Sequence, residues 1–90
     1  MKVVINKCYG GYSLSKEAYE FLGLEWDDLG YRYAYDRASE ELVKCVETLG
    51  EAANGRFANL KIVEIPDDVD WEIDEYDGIE QIAEVHRTWG

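Results

Sequence analysis

The sequence predicts an α+β two-layer sandwich in one domain spanning 1-90, with the order β-α-β-α-β-β-α and helices on one face of a mixed sheet. Three observations carry this. Short β-branched or alternating apolar runs occur at 3–5, 31–35, 60–65 and 69–74. Helical apolar spacing occurs at 14–22, 42–53 and 79–89. The 90 residues are 47% apolar with a single Pro, enough for one core and little more.

Val3-Val4-Ile5 is a buried strand by its β-branched content. Cys8-Tyr9-Gly10-Gly11-Tyr12 breaks it, and a helix starts near Ser15, which can cap. Leu14 before the cap can staple onto Tyr19. Leu14, Ala18, Phe21 and Leu22 form one stripe, and Gly23 is a left-handed stop. Tyr31, Tyr33 and Tyr35 alternate with Arg32, Ala34 and Asp36, the period of a second strand. Ser39 caps the next helix, with Glu40 and Glu41 in its first turn, and Asn54-Gly55 ends it. Leu60 to Ile65 is apolar on both faces and reads as a central strand. Pro66-Asp67-Asp68 turns the chain into an edge strand, where Val69, Trp71 and Ile73 alternate with Asp70, Glu72 and Asp74. Strands three and four then form a hairpin, and the two long crossovers imply some parallel pairing. Asp77 and Glu80 at capping-box spacing open a last helix with Ile79, Ile82, His86 and Trp89 on one face.

Twenty acidic residues against nine basic give a formal charge of −11. Such a field repels nucleic acid and anionic lipid, so neither a direct nucleic-acid partner nor a membrane is expected. No apolar run approaches the ~18 residues of a membrane helix, and no signal peptide is legible, which points to the cytoplasm. Cys8 and Cys45 read as reduced thiols. Small size and twelve aromatic residues suit a homo-oligomer without requiring one.

The most suggestive chemistry is at the N-terminal turn. Residues 1–16 carry Lys2, Lys7 and Lys16 and no acidic residue. Glycines allow backbone N–H groups close to an anion, and a helix start adds partial positive charge. Asn6, Lys7, Tyr9, Gly10, Gly11, Tyr12 and Ser13 are therefore candidate ligand-binding residues, with Arg56 and Arg87 as bidentate partners for phosphate or carboxylate. The loop matches neither GxxxxGK[ST] nor GxGxxG, and a turn that needs Gly and Ser for its backbone explains the same residues. Most arginines in so acidic a chain are expected simply to pair with carboxylates.

Other features read as structural. His86 on an apolar stripe suggests a packed residue, and no metal-ligand spacing or cofactor motif accompanies it. A Cys8–His86 nucleophile pair is the least favoured reading, and no catalytic residue is assigned. Residues 64–84 hold ten carboxylates and no Lys or Arg. They lack the Gly an EF-hand loop requires at its sixth position, and their period-two spacing fits a strand, so a solvated strand face is expected. The alternative reading is a face that mimics nucleic-acid phosphates and occupies a basic host protein. The three tyrosines are expected in the core rather than stacking bases.

The stretch Val3-Val4-Ile5-Asn6-Lys7-Cys8-Tyr9-Gly10-Gly11-Tyr12-Ser13-Leu14-Ser15 resembles a small family of phage and prophage proteins that open on a "VINxCYGGFxLS" pattern. Ala53-Asn54-Gly55-Arg56, Leu60 to Asp68, Trp71-Glu72-Ile73, Glu75-Tyr76-Asp77-Gly78 and His86-Arg87-Thr88-Trp89 agree as well, while 24–38 fits least. The resemblance implies a setting: a small accessory protein in bacterial host cytosol, of the kind that disables host defences. Two functions follow as expectations. One is a non-enzymatic protein holding a small anionic or nucleotide-like ligand at the loop after strand one. The other is an acidic inhibitor that presents 64–84 to a basic host protein.

Overall fold

The computed structural model describes residues 1–84. The class is α+β. The chain runs β1 (Lys2–Asn6), α1 (Lys16–Leu22), α2 (Glu40–Leu49), a 3₁₀ turn at Gly50–Ala53, β2 (Leu60–Glu64), β3 (Trp71–Tyr76) and β4 (Ile79–Glu84). Its strands form two antiparallel pairs, β1 with β2 and β3 with β4, in place of the one mixed sheet expected. No parallel pairing and no β2–β3 hairpin occur among the described residues.

β1 is buried from Val3 to Asn6, although its sheet has only two strands. Both of its edges are occupied. Val4 faces Ile62 of β2 on one side. On the other, the Val4 N–H donates to the Arg37 carbonyl at 2.9 Å, and the Asn6 N–H donates to Glu80 Oε1 at 2.7 Å. A run apolar on both faces suits a strand covered all round. β2, expected to be central, pairs only with β1 among the described residues and is half-buried.

α1 begins where Ser15 Oγ accepts from the Ala18 N–H at 3.1 Å and ends at Gly23, with φ +72°. Its inward residues are Ala18 and Tyr19, while Phe21, expected on the inner stripe, is exposed. The Tyr19 ring meets Trp26 edge-on at 5.0 Å. α2 buries Leu42, Val43, Cys45 and Val46 against α1, β1 and β2. Cys45 Sγ donates to the Ala18 carbonyl at 3.8 Å, and both cysteines are free thiols. Ser39 holds the cap position but makes no side-chain cap bond. The α-helix stops at Gly50, with the 3₁₀ turn carrying the chain to Asn54.

Two expected elements differ. Residues 31–35 are successive turns and not a strand. Ala34 N–H donates to the Tyr31 carbonyl and Asp36 N–H to the Tyr33 carbonyl, so the backbone satisfies itself locally. Tyr33 sits at φ +63°, which no strand tolerates. Tyr31 and Tyr35 are exposed, and only Tyr33 packs in part against the core. The segment at 79–84, expected to be helical, is β4. Asp77 (φ +51°) and Gly78 (φ +89°) form a two-residue turn with both central residues left-handed, the geometry that matches strand twist. Tyr76 therefore pairs with Ile79 and Ile73 with Ile82. His86, Arg87 and Trp89 of the expected helix lie outside the described residues. No helix of the described residues is long and apolar enough to cross a membrane.

Candidate functional site

The loop from Lys7 to Leu14 is where other loops dock. A Cβ on Gly10 would lie 2.0 Å from Phe57 Cβ, and one on Gly30 would lie 2.4 Å from the Leu14 carbonyl oxygen. A Cβ on Gly55 would come as close to Ser13 Oγ. Backbone bonds close these approaches: Leu14 N–H donates to the Gly30 carbonyl at 2.7 Å, and Gly55 N–H to the Ser13 carbonyl at 3.0 Å. The turn at Gly78 packs against Tyr9. The loops around Gly10, Gly55 and Gly78 thus meet in space, and the immediate reason is backbone packing.

The residues predicted to bind ligand divide. Asn6 is fully buried, and its side chain is consumed by the fold: Nδ2 donates to the Cys8 and Gly78 carbonyls, each at 2.7 Å, and Oδ1 accepts from the Asn59 N–H at 2.8 Å. Lys7 Nζ donates to the Glu80 carbonyl at 3.1 Å. Tyr12 is buried, with its hydroxyl donating to the Arg32 carbonyl at 2.7 Å. Tyr9 is exposed, and Gly11 has open space around it at φ +87°. Gly10, Ser13 and Arg56 line one cleft. Arg87 lies outside the described residues, as does His86, which the least favoured sequence reading pairs with Cys8.

That cleft has a volume of about 360 Å³. It is lined by Gly10, Ser13 and Leu14, by Trp26, Leu29 and Tyr31, and by Arg56 and Phe57, from three loops of the chain. The segment at 26–31 is rigidly built. Asp27 Oδ1 accepts from the Leu29 and Gly30 N–H groups at 2.9 and 3.0 Å, and Oδ2 accepts from the Tyr19 hydroxyl at 3.0 Å. The Gly30 and Leu29 amides hold the Asp27 carboxyl below its usual range. The Arg56 guanidinium lies 5.3 Å from the Phe57 ring centre and makes no ion pair among the described residues. Asp28 also lines the cleft.

A second constellation is structural. Arg37 and Glu80 are both buried and joined as a fork, Nη1 to Oε1 at 2.6 Å and Nη2 to Oε2 at 2.8 Å. Arg37 Nε also donates to the Ala34 carbonyl, and its guanidinium lies 3.8 Å from the Tyr12 ring centre. Burial pushes the Tyr12 phenol well above its ordinary range, against the opposing pull of Arg37. No buried side-chain nitrogen or oxygen among the described residues lacks a partner, so the cluster locks β4 onto β1. Sequence reasoning anticipated that an arginine would pair with a carboxylate, but not which. The two residues are 43 positions apart.

The acidic run is mostly unpaired. Among the described residues Asp67 bonds the Met1 ammonium and Glu80 bonds Arg37, while Glu72, Asp74 and Glu75 are exposed without a cation. No group of His, Cys, Asp or Glu among the described residues is placed to hold a metal ion. Compared with protein-family models, curated proteins and solved structures, the chain matches none.

Proposed function

We propose that this chain is a small non-enzymatic binding protein that takes a planar, anionic, nucleotide-like ligand in the cleft between Gly10 and Arg56. One observation supports the reading: the fold gathers Trp26, Tyr31 and Phe57 around the same space as an arginine that has no carboxylate partner among the described residues. A volume of about 360 Å³ is at the small end of ligand sites. Aromatic side chains stack a base regardless of its identity. A guanidinium meets a phosphate through two parallel hydrogen bonds. The net charge of −11 opposes an anion at long range, so moderate salt should speed ligand entry. The resemblance to phage and prophage accessory proteins supplies the setting for this proposal: an infected bacterial cytosol, with a nucleotide signal of host defence as ligand.

The test is a native mass spectrum of protein purified gently from bacterial cytosol, followed by titration with a panel of nucleotides. We expect retained mass of nucleotide size, and a loss of at least about tenfold in affinity for Arg56→Glu, since a hydrogen bond to a charged group contributes roughly 1.5–3 kcal/mol. Lys7→Glu should bind nearly as well as the parent, because its ammonium is engaged by the Glu80 carbonyl. Unchanged affinity in Arg56→Glu would remove the proposal.

A further inference from the structure

We infer that the outer edge of β3 is a docking site for an extended, basic segment of another protein, added as a third strand to the β3–β4 hairpin. The inference is independent of the cleft.

β3 pairs with β4 on one side, and no strand lies on its other side among the described residues. The two-residue turn fixes which backbone groups are left over. Tyr76 and Ile79 flank that turn and exchange hydrogen bonds, as do Asp74 with Gln81 and Glu72 with Ala83, by the antiparallel alternation. The N–H and C=O groups of Trp71, Ile73 and Glu75 consequently point away from β4, toward the open edge.

The side chains along that edge alternate in chemistry. Trp71 and Ile73 are half-buried on the inner face, where with Ala34, Tyr35 and the buried Arg37–Glu80 pair they line a groove of about 350 Å³, and the exposed Glu75 ends that face with a carboxylate at the groove. Glu72 and Asp74 project from the outer face into solvent, and residues 62–84 contain no Lys or Arg to neutralise them. A strand added beside β3 has its side chains alternate in the same way. Its inner residues enter the groove over Trp71, Ile73 and the fully exposed Tyr35 ring. Its outer residues stand opposite Glu72 and Asp74, where Lys or Arg is favoured. Strand addition takes affinity from the main chain and specificity from alternate side chains.

Charge complementarity selects the occupant. A second copy of this chain paired through β3 would set Glu72 and Asp74 against further carboxylates, which is unfavourable. Acidic residues on an edge also protect it from self-association. The same residues admit a strand of opposite sign, so protection and selection are one device.

The probe is a fluorescein-labelled peptide of about eight residues alternating Lys and Val, added to the full chain at low salt, with anisotropy and amide exchange as readouts. We expect binding, with slowed exchange at the Ile73 and Glu75 amides. Glu72→Lys/Asp74→Lys alters only exposed side chains and should weaken binding by at least about tenfold. The same peptide N-methylated at alternate residues keeps its charge but cannot bond the edge, and should fail to bind. Equal binding of the methylated peptide, or unchanged exchange at Ile73 and Glu75, overturns the inference, as does the absence of binding by the parent peptide.

Discussion

Replacing Glu80 by alanine tests the buried lock between β4 and β1. In the folded chain the carboxylate accepts three hydrogen bonds: two from Arg37, at 2.6 and 2.8 Å, and one from the Asn6 N–H at 2.7 Å. Glu80→Ala leaves the Arg37 guanidinium without a counter-charge at a site only 8% exposed. Breaking such a pair from one side costs about 3–5 kcal/mol. The orphaned Asn6 amide brings a further penalty, overlapping with the first, of roughly 1–3 kcal/mol. A 90-residue domain typically has about 5–13 kcal/mol in total. The single substitution therefore removes a large share of the stability, and Tm should fall by roughly 15–30 °C. Removing both charges in Arg37→Met/Glu80→Leu should recover the part of the loss due to the unpaired buried charge, because apolar replacement of a buried pair is often neutral, while the Asn6 amide stays without its acceptor. Urea unfolding followed by circular dichroism, run on the parent, both singles and the double, gives the coupling energy. A Glu80→Ala cost below about 1 kcal/mol, or a double variant as unstable as the summed singles, would refute the lock.

Three further outcomes follow from the packing. Ser15→Ala should lose about 1 kcal/mol in urea unfolding with its cap to Ala18, whereas Ser39→Ala should be nearly silent because Ser39 makes no such bond. Gly11→Ala should cost only the left-handed backbone penalty of about 1–2 kcal/mol, and Gly30→Ala clearly more, because at the same sign of φ its Cβ would strike the Leu14 carbonyl; thermal melts of the two variants compare them. Stability should fall at alkaline pH. Burial raises the Cys45 thiol and the Tyr12 and Tyr19 phenols above their ordinary values of 9.0 and 10.0. The unfolded chain then releases those protons first, so their contribution is complete below about pH 9 and is lost as pH climbs through the folded values. Denaturant midpoints from pH 8 to 11 measure the slope, which Tyr12→Phe should flatten.

Residues with strong local chemistry could be read directly. The cap at Ser15 and the stop at Gly23 form from neighbours within a few positions, and the strand at Val3–Ile5 is marked by its own β-branched residues although its partners lie in β2. The tyrosine row could not be read this way. Its period of two is that of a strand, yet Tyr33 takes a left-handed turn and the segment finds its hydrogen bonds locally. At the C-terminal end two local signals compete. Asp77 and Glu80 have the spacing of a capping box, and Asp77-Gly78 is also the strongest short hairpin signal, flanked on one side by the alternating Trp71 to Tyr76. The hairpin wins because it turns Glu80 inward onto Arg37. In the candidate site, Gly10, Ser13 and Arg56 were legible from glycine and charge. Trp26, Tyr31 and Phe57 were not, since their exposure around one space depends on how three loops meet. The sequence also offers no cue that Asn6 is spent on the fold.

The pairing of β1 with β2 has a consequence for synthesis. Val3, Val4 and Ile5 find their strand partners at Val63, Ile62 and Lys61. At ~5–20 residues per second a ribosome takes roughly 3–12 s to add that partner strand. Throughout this interval an apolar, β-branched run is outside its sheet, and α1 and α2 can form but have no strand pair to cover. β1 is therefore seated in its sheet only once β2 is available. Because the contact spans most of the chain, folding should be slow for a protein of this length.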